Sequence, residues 1–188
     1  IDNSQFARDT VVATSIDDNR ISKYVRELIV QKVINDKIDL LKNRSQIILQ
    51  GPPGTGKTRL AKQMAIRMTN NTDPIETNDE IKASLEKIDS KQVKLIQFHP
   101  SYSYEDFVRG IVATTTANNN EIKYETENKV LAEMAKEAKG DLDKVGNKNQ
   151  AKKYILIIDE INRANLSSVL GELIYALEYR DEAVESMY

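Results

Sequence analysis

The 188-residue sequence contains no cysteine, no tryptophan, one histidine and four prolines. Without cysteine there is no disulfide framework, no thiolate zinc site and no cysteine nucleophile, and the single imidazole, His99, cannot build a histidine-rich metal centre. Charge of one sign is also lacking: 27 Lys and Arg stand against 29 Asp and Glu, a net −2, which excludes a broad basic surface that binds nucleic acid by counterion release alone. Local basic patches stay open. Long apolar runs are missing too, since the longest, residues 154–158, falls far short of the roughly 20 residues of a membrane span. The start, IDNSQFARDT, has no charged segment leading into an apolar one, so neither export nor anchoring is signalled, and a cytoplasmic protein without membrane contact is expected. Because the chain begins at Ile1, a piece of a longer protein is expected.

What is present is 40% hydrophobic and 30% charged, with a mean hydropathy of −0.52, the balance of a folded globular chain. The length suits one substantial α/β domain. Residues 10–16 read as a short extended segment. From 17 onward, Ile21, Tyr24, Val25, Leu28, Ile29, Val33, Ile34, Ile38 and Leu41 recur every three or four residues, which predicts one amphipathic helix or two in succession, with Asp17 or Asp18 as N-cap. A strand over 46–50 follows, then a loop and a helix over 59–68. A turn-rich 70–79 precedes a short helix over 81–88 and a strand over 93–99. Two short strands joined by TTTANNN are expected between 108 and 125, then a helix over 129–144 and a loop over 146–153. Residues 154–158 read as a buried strand, and Leu166, Val169, Leu170, Leu173 and Leu177 mark one face of a last helix. Three strands alternating with helices predict a parallel α/β sheet.

The run Gly51, Pro52, Pro53, Gly54, Thr55, Gly56, Lys57 and Thr58 satisfies GxxxxGK[ST] between a strand and a helix, where a phosphate-binding loop belongs. Gly51, Gly54 and Gly56 let the backbone curl so that its N–H groups face phosphate oxygens, helped by the positive end of the next helix. Lys57 is expected to neutralise the β- and γ-phosphates, and the Thr58 hydroxyl to ligate Mg2+. Asp159 and Glu160 close the 154–158 run, on the carboxyl edge where open α/β sheets bind ligands and on the same edge as the phosphate loop. Asp159 is the candidate partner of the Mg2+ shell, and Glu160 the candidate base for water attacking a γ-phosphate, which favours hydrolysis over transfer to another acceptor.

GPPGTGKT together with IIDEINRA (157–164) resembles the AAA+ superfamily of ring-forming nucleoside triphosphatases, and DEINRANLS with QFHPSYSYEDFVRG (97–110) is similar to its McrB-type branch, motor subunits of modification-dependent DNA restriction systems. The resemblance runs from about 46 to 177. It implies a P-loop NTPase core over 46–188 after a helical lead-in over 1–45, with the strands of 108–125 as a β-hairpin insert in the second helix. It also implies Mg-ATP or GTP as substrate, a homo-oligomeric ring, and a nuclease subunit and 5-methylcytosine-containing DNA as partners. Base contacts are expected from residues 6–16. Family members continue beyond the carboxylate strand with a sensor strand, arginine fingers and a helical lid; the missing fourth strand normally lies between the phosphate-loop and carboxylate strands, which leaves the expected excerpt doubtful as a hydrolase by itself. A MoxR-like remodelling ATPase carrying the same DEINRA, and a nucleotide-dependent assembly switch without turnover, are the alternatives.

Other residues carry two readings. Arg163 suits a subunit interface or a surface ion pair, and Asn165 a contact to the nucleotide site or a helix cap, as does Asn162 the former. His99, Tyr102, Tyr104 and Phe107 suit packing and orientation of the strand end rather than catalysis. Arg109, Lys123 and Tyr124 on the hairpin combine charge with a stacking surface for DNA or a partner, against a solvated hairpin.

Overall fold

The β-branched runs VKLIQ and ILIID supply two strands that can be buried on both faces, as parallel strands require. In the computed structural model, which describes residues 18–70, 77–115 and 122–179, they become β1 (Val93–Gln97) and β4 (Ile155–Asp159), paired in parallel from Val93↔Ile155 to Gln97↔Asp159. The ladder continues past both ends, with Ile155 N–H donating to Gln92 O at 2.7 Å and Phe98 N–H to Asp159 O at 2.9 Å. The short segment over 10–16, Asp17 as a cap, the base contacts expected from 6–16 and the tip of the hairpin lie outside the described residues.

The chain divides into two compact units, residues 1–85 and 86–188. In the first, the expected 3.6-residue pattern forms one continuous helix, α1 (Asp18–Arg44), rather than two. Its inner face buries Ile34 and Ile38 against Met64, with Leu41, Ile47, Leu60 and Met68 around them. Helix α2 (Lys57–Asn70) contributes the buried run Gln63, Met64, Ala65 and Ile66. Helix α3 (Asn78–Glu86) starts from a reciprocal cap: Glu80 Oε2 accepts from Thr77 N–H at 3.0 Å and Thr77 Oγ1 from Glu80 N–H at 3.2 Å.

The strand expected over 46–50 is a correction. These residues alternate between half-buried and exposed, as an extended segment does, but none of the described residues forms a ladder with them. A strand is defined by partners for its N–H and C=O groups, and alternation alone does not supply them. The parallel sheet among the described residues therefore has two strands, not three.

In the second unit, one core joins Phe98, Tyr104, Phe107, Val108, Ala164 and Val169. Phe98 stacks on Tyr102 at 5.1 Å between ring centroids and meets Phe107 edge-on at 5.4 Å. The SYSYEDF stretch forms the short helix α4 (Tyr104–Phe107), whose Asp106 carboxylate accepts from both Ser103 N–H and Ser103 Oγ. An antiparallel pair follows, β2 (Arg109–Thr115) with β3 (Ile122–Asn128). Helix α5 (Val130–Val145) then starts beside the end of α4, with Lys129 N–H donating to Val108 O at 2.8 Å. The far end of α5 holds the entry to β4: the Tyr154 hydroxyl donates to Asp141 Oδ2 at 2.5 Å.

The last helix is the second correction. Its apolar face is real, with Val169 fully buried, but the chain breaks into α6 (Leu166–Leu170) and α7 (Leu173–Glu178) around Gly171. Gly171 has φ +51 and ψ −128, and a Cβ there meets the Tyr104 ring at 3.2 Å, so periodicity continues while the backbone turns away. The Tyr104 hydroxyl donates to Glu172 Oε1 at 2.6 Å just beyond the break. No helix among the described residues is long and apolar enough to cross a membrane.

Gly171→Ala is expected to lower unfolding free energy by about 1–3 kcal/mol, read as a shifted urea midpoint with unchanged slope. The hydrogen bond to Asp141, then burial, then the Asp141 charge push the Tyr154 phenol up to about 12. Since the folded value lies above the ordinary 10.0, the stability this supplies is complete below pH 10 and lost as pH rises toward 12. Ultraviolet titration should show one tyrosine ionising near pH 12 that falls back toward 10 in Asp141→Asn.

Candidate functional site

In the first unit, the expected phosphate loop is an irregular turn that ends where α2 begins, at Lys57. Gly54 and Gly56 have φ +77 and +80, left-handed values that glycine adopts without strain. The loop is tied to its own side chains. Lys57 Nζ donates to Gly51 O and to Pro52 O, both at 2.8 Å, and Thr55 Oγ1 donates to Pro52 O, also at 2.8 Å. Leu60 N–H donates to Gly56 O at 2.8 Å, so the first helical turn grows directly out of the loop. Pro53 lacks an N–H to place, and Thr58 lies one residue inside α2.

Beside this loop lies a cleft of about 480 Å³. Ile29, Val30 and Val33 of α1 form one wall, and Gly54, Thr55 and Gly56 border the other side. These α1 residues are exposed, unlike Ile34, which follows Val33 directly and faces the core. The periodic pattern marked Ile29 and Val33 as core candidates but gave no sign that they border the loop; an apolar stripe wider than its core contact is the signal that could have done so.

In the second unit, β4 ends with Asp159 half-buried, and the chain turns at once through Glu160. Glu160 has φ +53 and ψ +39, a left-handed conformation for a residue with a full side chain, costing about 1–2 kcal/mol. Three bonds hold it. Asp159 Oδ1 accepts from Glu160 N–H at 3.0 Å, Glu160 O accepts from Arg163 N–H at 2.9 Å, and Glu160 Oε2 accepts from Arg163 Nε–H at 3.1 Å. Residues Ile161–Arg163 form a single 3-10 turn, after which Asn165 caps α6 through its side chain, accepting from Ser168 N–H. The structure thus gives Asn165 its capping role and Arg163 an intramolecular ion pair.

One strand over, on the same carboxyl edge, His99 lies two residues beyond β1. Its Nδ1 accepts from Ser101 N–H at 3.4 Å and lies 3.0 Å from Ser101 Oγ. Tyr104 and Phe107 are buried and Tyr102 half-buried, as packing groups, whereas His99 is exposed and not part of that core. Burial first, and the Asp106 charge second, push the Tyr102 phenol up and keep it neutral. The Ser103…Asp106 spacing was a readable cap signature that sequence reasoning passed over.

The hairpin divides its candidates. Lys123 is ion-paired with Glu125 at 2.7 Å, on the face opposite Tyr124, so its charge does not combine with that aromatic surface. Arg109 sits at the half-buried base of β2.

Thr58 and Asp159 offer hard oxygen donors, and among the described residues no cluster of three His, Cys, Asp or Glu could cage a metal ion. Each taken by itself is a donor of the kind Mg2+ accepts, since that ion keeps waters and phosphate oxygens in its shell and needs no all-protein cage.

A family model described as an AAA domain of the dynein-related subfamily matches residues 46–188. Among curated proteins, the chain is similar to the type IV methyl-directed restriction enzyme EcoKMcrB subunit of Escherichia coli (strain K12), 33% identical over 156 residues, which are 83% of this chain and 27% of that protein. It is also similar to neuron navigator 3 of Mus musculus and of Homo sapiens, each 27% identical over 115 residues, 61% of this chain and 4% of theirs. The chain therefore spans about a quarter or less of the length of these relatives.

If the Lys57 ammonium holds the loop, Lys57→Met should drop the backbone order parameters of Gly54 and Gly56 from the rigid value of about 0.85 to below about 0.6, with α2 unchanged. Unchanged order at both glycines assigns the loop's shape to its backbone alone.

Proposed function

The chain belongs to the AAA domain family, on its McrB-type branch, and from that premise we propose that it is the nucleotide-binding core of a motor that hydrolyses ATP or GTP. The observation that carries this reading is the turn of residues 51–56, with Gly54 and Gly56 left-handed, opening into a 14-residue helix at Lys57. Backbone N–H groups at such a junction, with the helix dipole behind them, suit a polyphosphate. Lys57 has three ammonium protons, of which two are used on loop carbonyls, so the third serves a phosphate oxygen while the loop keeps its shape. The apolar wall of Ile29, Val30 and Val33 suits one face of a nucleobase, a role that the family resemblance places in residues 6–16.

Thr58 and Asp159 are the residues assigned to Mg2+, which when bound supplies neutralisation of phosphate charge. Glu160 is assigned as general base: its carboxylate takes a proton from water, the water oxygen attacks the γ-phosphorus, and the bond to the β–γ bridging oxygen breaks to release nucleoside diphosphate and phosphate. In this division residues 46–188 are the core and 1–45 a helical lead-in.

Kinship with the EcoKMcrB subunit supports a finer proposal, that the motor acts as a homo-oligomeric ring with a nuclease subunit on DNA containing 5-methylcytosine. The near-zero net charge leaves that DNA contact to a local surface or another domain. Phosphate release should be measured on the complete protein with ATP and with GTP. Glu160→Gln is expected to bind the Mg-nucleotide with affinity near wild type while turnover falls about 10²–10⁴-fold. Normal turnover in that variant sinks the assignment of the base, and binding without turnover in the unsubstituted protein turns the reading to an assembly switch.

A further inference from the structure

The turn that follows Asp159 fixes two side chains at once. Ile161 packs against the core, Ala164 belongs to it, and the two are three residues apart. Ile161 at the start of the turn and Ala164 just past its end anchor it to the core, and Glu160, left-handed just before the turn, reaches Arg163, its last residue. There the Arg163 Nε–H donates to Glu160 Oε2 at 3.1 Å.

The energetics of this pair argue against a stability role. Its side chains are 54% and 38% exposed, and ion pairs of that exposure contribute about 0–1 kcal/mol. The backbone beneath it meanwhile carries the cost of a left-handed glutamate, kept in place by the Asp159 carboxylate on its N–H and the Arg163 N–H on its carbonyl. A feature that spends local strain and returns little stability fixes orientation. A glutamate has three side-chain torsions and, when half-exposed, samples several rotamers. Arg163 engages one carboxylate oxygen, Oε2, and so leaves Oε1 as the atom presented to a proton donor.

We propose that Arg163 is a positioning residue for Glu160: by bonding Oε2 from the same 3-10 turn, it holds Oε1 in the direction from which a water is deprotonated. This rests on the reading of Glu160 as the base. A misplacement of about 1 Å at a reacting group can cost about 10²-fold in rate, so the expected loss is kinetic. Arg163 is half-exposed and its pair adds little stability, so its variants should fold.

In the complete protein, Arg163→Ala is expected to lower kcat about 10- to 100-fold, with KM and the Kd for nucleotide, measured by fluorescence of a labelled analogue, changing less than about threefold. Arg163→Lys, which keeps a cationic donor, should recover part of the loss. The double variant Arg163→Ala with Glu160→Gln should be no slower than Glu160→Gln alone, because a residue acting through Glu160 has nothing left to position. A wild-type kcat in Arg163→Ala overturns the inference, as does an additive loss in the double variant, which assigns Arg163 an independent role such as a contact to a neighbouring subunit. The two levels separate cleanly: normal turnover in Glu160→Gln defeats the base, whereas a stalled Glu160→Gln beside an unimpaired Arg163→Ala defeats the positioning alone.

Discussion

The second unit depends on one short main-chain ladder. Between Ile155 N–H on Gln92 O and Phe98 N–H on Asp159 O, β1 and β4 satisfy each other's backbone along a shared edge, and everything nearby takes its position from that register. Phe98 leaves β1 directly into the aromatic cluster with Tyr102 and Phe107, and Asp159 leaves β4 directly into the turn that carries Glu160. A slip of β4 by one residue turns Leu156 and Ile158 away from the core that Ile96 faces, and sends the Asp159 carboxylate to the opposite face with the same step. The core and the acidic pair are thus two outcomes of one pairing, which is why an aromatic cluster with no chemistry of its own lies next to the candidate base.

The motif residues were legible because their requirements are local. A loop that opens a helix needs glycines where φ is positive, and the sequence carries them at 54 and 56; a strand that ends at a ligand edge carries acid at 159 and 160. Helices α1, α2 and α5, the hairpin strands and both parallel strands were readable from periodicity for the same reason. Residues 46–50 have the alternation of a strand but not its partner, and partners are a tertiary property. The break at Gly171 was hidden because Leu166, Val169, Leu170 and Leu173 keep helical spacing across it. Glycine in a helical pattern costs only about 1 kcal/mol, so periodicity outvotes it unless a neighbour such as the Tyr104 ring is known.

The least legible features are contacts between residues far apart in sequence. Tyr104 with Glu172, and Lys91 with Glu137, join elements that no spacing rule connects. Tyr154 with Asp141 is nearer in sequence, yet it depends on how α5 returns to β4. The ion pair of Glu160 with Arg163 was open as one of two readings, but its setting was not: the 3-10 geometry and the left-handed Glu160 backbone emerge only once Ile161 and Ala164 are seated.

The Lys57 bonds to Gly51 and Pro52 have a consequence for how a ligand is met. A flexible loop must surrender backbone freedom when it closes on an anion, at about 1–2 kcal/mol for each residue ordered. A loop already curled about its own ammonium has made that sacrifice during folding. Under the proposed function, an arriving polyphosphate would meet a shaped and charged receptor, and more of its interaction energy would survive as affinity. In the proposed role, the side chain that would neutralise the ligand's charge is also the template that keeps its receptor in shape.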